Sequence, residues 1–236
     1  MYFAAADFDL YQPHFQGDPE WNGRRLDVRQ RLQAIGDALC AQFKDQGVGL
    51  DRRESLHHPH ATNGKKVRRQ RSMMFRDKKS RKALQGFLGK ELGKDLDSAV
   101  NNLHFQVGLD DKEAYWGLRI DSGAWYDLNV LLKRAEENPG REEIVAACRQ
   151  APGFQLEIDR GGPRPLDGMT NRDWRDLAGT LRPGENSLEV VRRMPKHEVA
   201  EGGEDFGPLV CADLFRLAEF YTLACWSLDS PSGASL

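Results

Sequence analysis

The clearest alternation of apolar and polar positions lies at Leu103–Asp121, LHFQVGLDDKEAYWGLRID. Leu103, Phe105, Val107 and Leu109 alternate with His104, Gln106 and Gly108, the period of two that marks a half-buried strand. Asp110-Asp111-Lys112-Glu113 reads as a charged four-residue turn, and Ala114, Trp116, Leu118 and Ile120 resume the alternation on a second strand. Such a turn pairs Leu109 with Ala114, Val107 with Trp116, Phe105 with Leu118 and Leu103 with Ile120. Every apolar residue then meets another. A slip of one residue would set each against a polar neighbour, so burial fixes the register.

The same register sets His104 opposite Arg119, Gln106 opposite Gly117 and Gly108 opposite Tyr115. This second face carries an imidazole, a guanidinium, an amide and a phenol, with two glycines expected to leave open space. It reads either as a solvated sheet face or as a ligand face, because glycines in strands mark close approach of a ligand or of another backbone.

Helical periodicity surrounds the hairpin. Val28, Leu32, Ile35, Leu39 and Phe43 form one stripe on a helix over Arg24–Gln46. Ser80 is placed to cap a helix over Arg81–Lys94, and Ala124–Glu137 and Arg141–Gln150 give two more. Thr170 and Asp173 make a helix-start signature. Phe206–Trp226 is apolar nearly all round and is predicted to be one buried helix. Short strands are expected within Val48–Leu56, Ser72–Phe75, Phe154–Asp159 and Ser187–Met194. Residues 1–22 look irregular and packed on the surface of the fold. Helices and strands mix without a strict βαβ rhythm, so the chain is expected to be one α+β domain over 1–226, with a mixed or antiparallel sheet and packed helices. The small-residue stretch 227–236 is expected to be a disordered tail.

Composition narrows the classes. The 236 residues are 39% hydrophobic and 30% charged, enough for a core and a wet surface. Cys40, Cys148, Cys211 and Cys225 are scattered with no CxxC pair, which fits a reducing compartment better than a disulfide framework. Asp7 and Asp9 stand where a signal peptide would be basic and then apolar, and no run approaches the ~20 apolar residues of a membrane span. A cytoplasmic protein with no membrane association is the expectation.

The net charge of −2 conceals an asymmetry. From Lys65 to Lys82 there are ten Lys or Arg and one acid, Asp77, a net of +9; the rest of the chain, 24 basic and 35 acidic residues, carries −11. Clustered cations attract phosphate. Lys65, Lys66, Arg68, Arg69, Arg71 and Arg76 are the candidate ligand-binding residues of this run, with Arg68 and Arg76 suited to bidentate phosphate contacts. His104, Gln106, Tyr115 and Arg119 are those of the hairpin face. Pairing of the run with the acidic surplus elsewhere is the competing reading.

Four short stretches resemble a family of bacterial conserved hypothetical proteins, a domain of unknown function: Arg71–Asp77 ending in Phe-Arg-Asp, the hairpin with Gly117 and Arg119, Pro152-Gly153-Phe154 opening a strand, and the aromatic-rich closing helix. The resemblance covers roughly residues 20–226. It implies a single α+β domain and supplies no catalytic residues. His57-His58-Pro59-His60 and the Lys/Arg run are not part of the family's pattern.

The histidine cluster invites a metal reading, since His58 and His60 would point the same way in an extended segment; no third ligand stands nearby in sequence, His104 being the one the fold could bring, and a surface or core histidine cluster is the competing reading. No metal or cofactor is expected. The chain holds no Walker loop, GxSxG elbow, HExxH or GxGxxG followed by a helix, and Glu157 with Asp159 offers two acids without the lysine of a metal-dependent nuclease. The reading is a binding protein for nucleic acid or another polyanion. The alternatives are an enzyme using His104, Arg119 and Tyr115 on a small phosphorylated or carboxylate ligand, and a protein-interaction scaffold.

Overall fold

The computed structural model describes residues 2–159 and 161–226, so the expected tail at 227–236 lies outside the described residues. Seven strands form one sheet: β1 Leu50–Glu54, β2 Gln70–Arg76, β3 His104–Leu109, β4 Glu113–Ile120, β5 Gln155–Ile158, β6 Arg164–Pro165 and β7 Leu188–Pro195. Their order is β1-β2-β3-β4-β7-β5-β6, with every neighbouring pair antiparallel. The fold is α+β, as expected.

The hairpin adopts the register that apolar matching dictates. Leu109 pairs with Ala114, Val107 with Trp116 and Phe105 with Leu118, while His104 faces Arg119, Gln106 faces Gly117 and Gly108 faces Tyr115. β4 then pairs with β7, placing Trp116 against Arg192 and Leu118 against Val190. One sheet face is the core face. Nine helices occupy the described residues: α1 Ala5–Asp9, α2 Asn22–Asp45, α3 Lys78–Leu92, α4 Trp125–Glu136, α5 Asn138–Arg149, α6 Asn171–Thr180, α7 Lys196–Gly202, α8 Phe206–Arg216 and α9 Ala218–Ala224. The stripe of α2 packs across β1, β2 and β3 and against α8, and α4 gathers α5, α6 and α9.

Several expectations change. The amino-terminal segment is not a surface strap: Phe3, Phe8, Leu10 and Tyr11 are all buried in the core. α3 begins earlier than Ser80, because Asp77 is its cap and the Asp77 carboxylate accepts from Ser80 N at 2.8 Å. The closing apolar segment is two helices that break at Leu217. The turn keeps Leu217, Phe220 and Tyr221 in the core while Phe215 and Leu209 reach the surface. Thr170 caps α6 as expected, accepting from Asp173 N while Asp173 accepts from Thr170 N.

Arg76 changes role altogether. It sits at the end of β2, fully buried, with its guanidinium against the Asp127 carboxylate of α4 and against the Trp226 carbonyl. Asp127 also accepts from Leu103 N at 2.7 Å and Trp226 N at 3.2 Å. This pair ties β2, the entry to β3, α4 and the end of α9 together.

Candidate functional site

The outer face of the hairpin is neither solvated nor open. His104, Gln106 and Tyr115 are all buried. The space at Gly108 is taken by the Tyr115 ring: a Cβ on Gly108 would lie 2.6 Å from its hydroxyl. At Gly117 a Cβ would lie 1.8 Å from the Val190 carbonyl of β7, so the neighbouring backbone requires that glycine, not a ligand. The absent side chain also leaves a path across β4. Gln106 on β3 reaches Glu189 on β7, its Nε2 donating to Oε1 at 2.6 Å, and accepts from Arg71 Nη1 at 2.9 Å. Arg119 donates to Glu189 at 2.5 Å and to Asp121 at 2.6 Å. A polar chain thus crosses four strands, Arg71–Gln106–Glu189–Arg119, and satisfies itself.

His104 stands beside Arg119 on the same face. Its Nδ1 is 2.9 Å from the Asn102 carbonyl and therefore carries the proton, leaving Nε2 buried without a partner among the described residues. Burial holds the imidazole down to about 4, with the Asn102 hydrogen bond and Asp121 opposing the shift and the Arg71 and Arg119 cations adding to it. A base whose folded pKa is depressed contributes stability above its unfolded value, 6.5, and loses it as pH falls toward about 4. Acid titration of folding, followed by urea melts, should show a loss across that window which His104→Asn reduces. An unchanged acid limb in the variant would mean His104 is not buried neutral.

The basic run is divided by β2, whose seven residues are mostly buried. Lys65, Lys66, Arg68 and Arg69 precede the strand and are exposed; Lys78, Lys79 and Lys82 follow it in α3 and are also exposed. Arg81 is buried and held by Asp51 and Asp97, with its guanidinium over the Phe75 ring at 5.0 Å. The residues named from sequence are therefore not one group. The structure brings Lys66, Arg68, Arg69 and Arg71 together and places Arg76 in the core at the far end of the strand.

These four cations line an open cleft of about 920 Å³, within the range of ligand sites. Gln16, Ser55, Leu56, Thr62, Asn63 and the turn carboxylates Asp110 and Asp111 are also on its walls. The loop carrying the cations is built. His60 accepts from Thr62 N, Asn63 accepts from His60 N, Lys65 N donates to the His60 carbonyl at 2.8 Å, and Val67 N donates to Gln16 O at 2.9 Å. Lys65 itself sits at a positive φ of 57°, uncommon for a side chain of its size. Arg71 belongs both to the cleft and to the polar chain. Its guanidinium is drawn below its ordinary value by burial first and then by Arg69 and Arg119. Tyr115, beside Arg69, Arg71 and Asp110, has its hydroxyl buried and unpartnered among the described residues, and burial raises it.

The wall residues from the 55–64 loop, and the two turn carboxylates, carry no sequence signal of their own. Asp110 and Asp111 read only as a turn until the β2–β3 register brings that turn beside Arg68 and Arg69.

His57 approaches Arg29 rather than another ligand, and His60 is used as the cap of a 3-10 turn. Among the described residues no group of three or more His, Cys, Asp or Glu is placed to hold a metal. Burial raises all four thiols, Cys148 to about 12 and Cys40 to about 11, so none is an activated nucleophile. Among the described residues no helix is long and apolar enough to cross a membrane.

No family model matches this chain, and no curated protein matches it.

Proposed function

We propose that the chain is a cytoplasmic polyanion-binding protein, in the first place a nucleic-acid-binding one, whose contact surface is the cleft and the Lys65–Arg71 segment. The observation that carries this is the state of the cations. Carboxylates take up several arginines that are buried or half-buried: Asp127 takes Arg76, Asp51 takes Arg81, Glu189 takes Arg119 and Asp213 takes Arg192. Lys65, Lys66, Arg68 and Arg69 are exposed, and their side chains have no hydrogen-bond or ion-pair partner among the described residues. Internal neutralisation, the competing account of the run, thus applies to Arg76 and Arg81 and not to these four or to Lys78, Lys79 and Lys82, and of the unpaired cations it is Lys66, Arg68 and Arg69 that line the cleft. The four free thiols suit a reducing compartment.

Acid–base chemistry at His104, Tyr115 and Arg119 has less support. The first two are sealed from solvent and the third is held by two carboxylates. A catalytic pair needs access to the atom it serves.

Anisotropy titrations with single- and double-stranded DNA and RNA at several salt concentrations test the reading. Log affinity should fall linearly with log salt, by about 0.7–0.9 per phosphate contact. Reversing Lys66, Arg68 and Arg69 to Glu should weaken binding for every sequence and flatten the slope by about 2–3. Reversing Lys78, Lys79 and Lys82 should change it little. Absence of binding at micromolar protein in low salt, or equal losses from the two sets, overturns the assignment.

A further inference from the structure

The cleft has two walls of opposite sign. The β2–β3 register ends with Gln70 opposite Leu109. Arg68 and Arg69 immediately precede β2, Asp110 and Asp111 immediately follow β3, and all four line the cleft. No ion pair closes between these cations and carboxylates among the described residues. Asp110 is partly committed, its Oδ1 accepting the turn amides of Lys112 at 2.8 Å and Glu113 at 3.0 Å. Asp111 is half-buried, and its carboxylate has no partner among the described residues. The site therefore offers donors on one side, an unpaired carboxylate on the other, and a gap between them that no described side chain bridges.

We infer that this cleft takes single-stranded nucleic acid and favours guanine, with phosphate on Arg68, Arg69 and Arg71 and the Watson–Crick edge of the base on Asp111. The inference rests on the polyanion reading above and specifies it. A duplex puts a second phosphate backbone close to the first, and here it would meet Asp110 and Asp111, where like charge repels. A single strand can turn its phosphates to one wall and its bases to the other, and unstacked bases are read on their Watson–Crick edges. Among the bases, guanine presents two parallel donors on that edge, N1–H and the N2 amino group. They match the two oxygens of a carboxylate as a guanidinium does. Thymine's only edge donor lies between two carbonyl oxygens that repel a carboxylate. No aromatic ring is among the lining residues, so stacking contributes little and the base preference falls to hydrogen bonding.

The test uses the full chain and short oligonucleotides by anisotropy at fixed salt: a thymidine homopolymer, the same strand with central guanines, the same strand with inosines, and a duplex of equal length. Inosine keeps N1–H and removes only the amino group. The guanine strand should bind roughly tenfold tighter than the inosine strand, the low end of a bidentate base contact, and tighter than the duplex. Asp111→Asn should remove the guanine–inosine difference while leaving the salt slope unchanged, because no phosphate contact is lost. Asp111 is half-buried in the hairpin turn and its side chain makes no backbone bond among the described residues, so the variant should fold; an unchanged urea midpoint checks it. Equal binding of guanine and inosine strands, or preference for the duplex, overturns this inference and leaves the polyanion reading standing. No binding by any of the oligonucleotides overturns both.

Discussion

Replacing Trp116 by alanine should cost about 3–5 kcal/mol of folding free energy, the range for removing a large buried aromatic. The side chain is fully buried at the centre of the core face. Its ring meets Phe206 edge-on with centroids 5.7 Å apart, and Arg192 lies over it at 5.7 Å. Its indole Nε1 donates to Asp213 Oδ2 at 3.1 Å, where the same carboxylate also receives Arg192 at 2.8 Å and, on Oδ1, Arg216 at 3.2 Å. The alanine variant loses volume and leaves buried Asp213 with one donor fewer. Trp116→Phe keeps much of the volume and loses only the indole bond, so its penalty should be less than half as large. Urea melts on both variants decide it. A loss under about 1 kcal/mol for the alanine variant would place Trp116 outside the core, and the hairpin register with it.

Asp127→Ala is the second large effect, again about 3–5 kcal/mol, because it strands a buried charge. Arg76 is fully buried and cannot reach solvent to replace its partner. The amides of Leu103 and Trp226 lose their acceptor in the same step. The diagnostic variant is the double one. Arg76→Met with Asp127→Leu removes both charges and fills the space, and replacing a buried pair by apolar groups is often close to neutral. The double variant should therefore be clearly more stable than Asp127→Ala alone, with the stranded amides of Leu103 and Trp226 and the Trp226 carbonyl as residual cost. A double variant as unstable as the sum of its single changes would show that the pair is not the unit of stability.

The two variants mark the boundary of what the amino-acid sequence makes legible. Trp116 is readable because its partners on the same hairpin are close in the chain: alternation over Leu103–Ile120 carries both strands and their register. The stripe of α2 and the Thr170–Asp173 cap are local in the same sense. Arg76 is not readable. It stands inside a dense Lys/Arg run and looks like its neighbours, while its counter-charge is 51 residues away. The outer face fails for the same reason. Glu189, which closes the polar chain, is 70 residues from Arg119 and 83 from Gln106, and comes beside them only because β7 pairs with β4. The two hairpin glycines likewise answer to Tyr115 and to the Val190 carbonyl, contacts that a one-dimensional pattern does not contain. The candidate cleft is half readable: its cations stand out as a charge excess, and its carboxylates are hidden in a turn.

The division of the basic run by β2 has an electrical consequence. Seven extended residues hold the cations before the strand about 20 Å from those after it. At physiological ionic strength mobile ions screen exposed charges over about 8 Å, and at 0.01 M over about 30 Å. The spacing lies between the two lengths. In dilute buffer the Lys65–Arg69 and Lys78–Lys82 groups act on an approaching anion as one field, and under cellular ionic strength each acts alone. The second group should accelerate capture of an anion in dilute buffer and have almost no influence on it at 0.15 M salt.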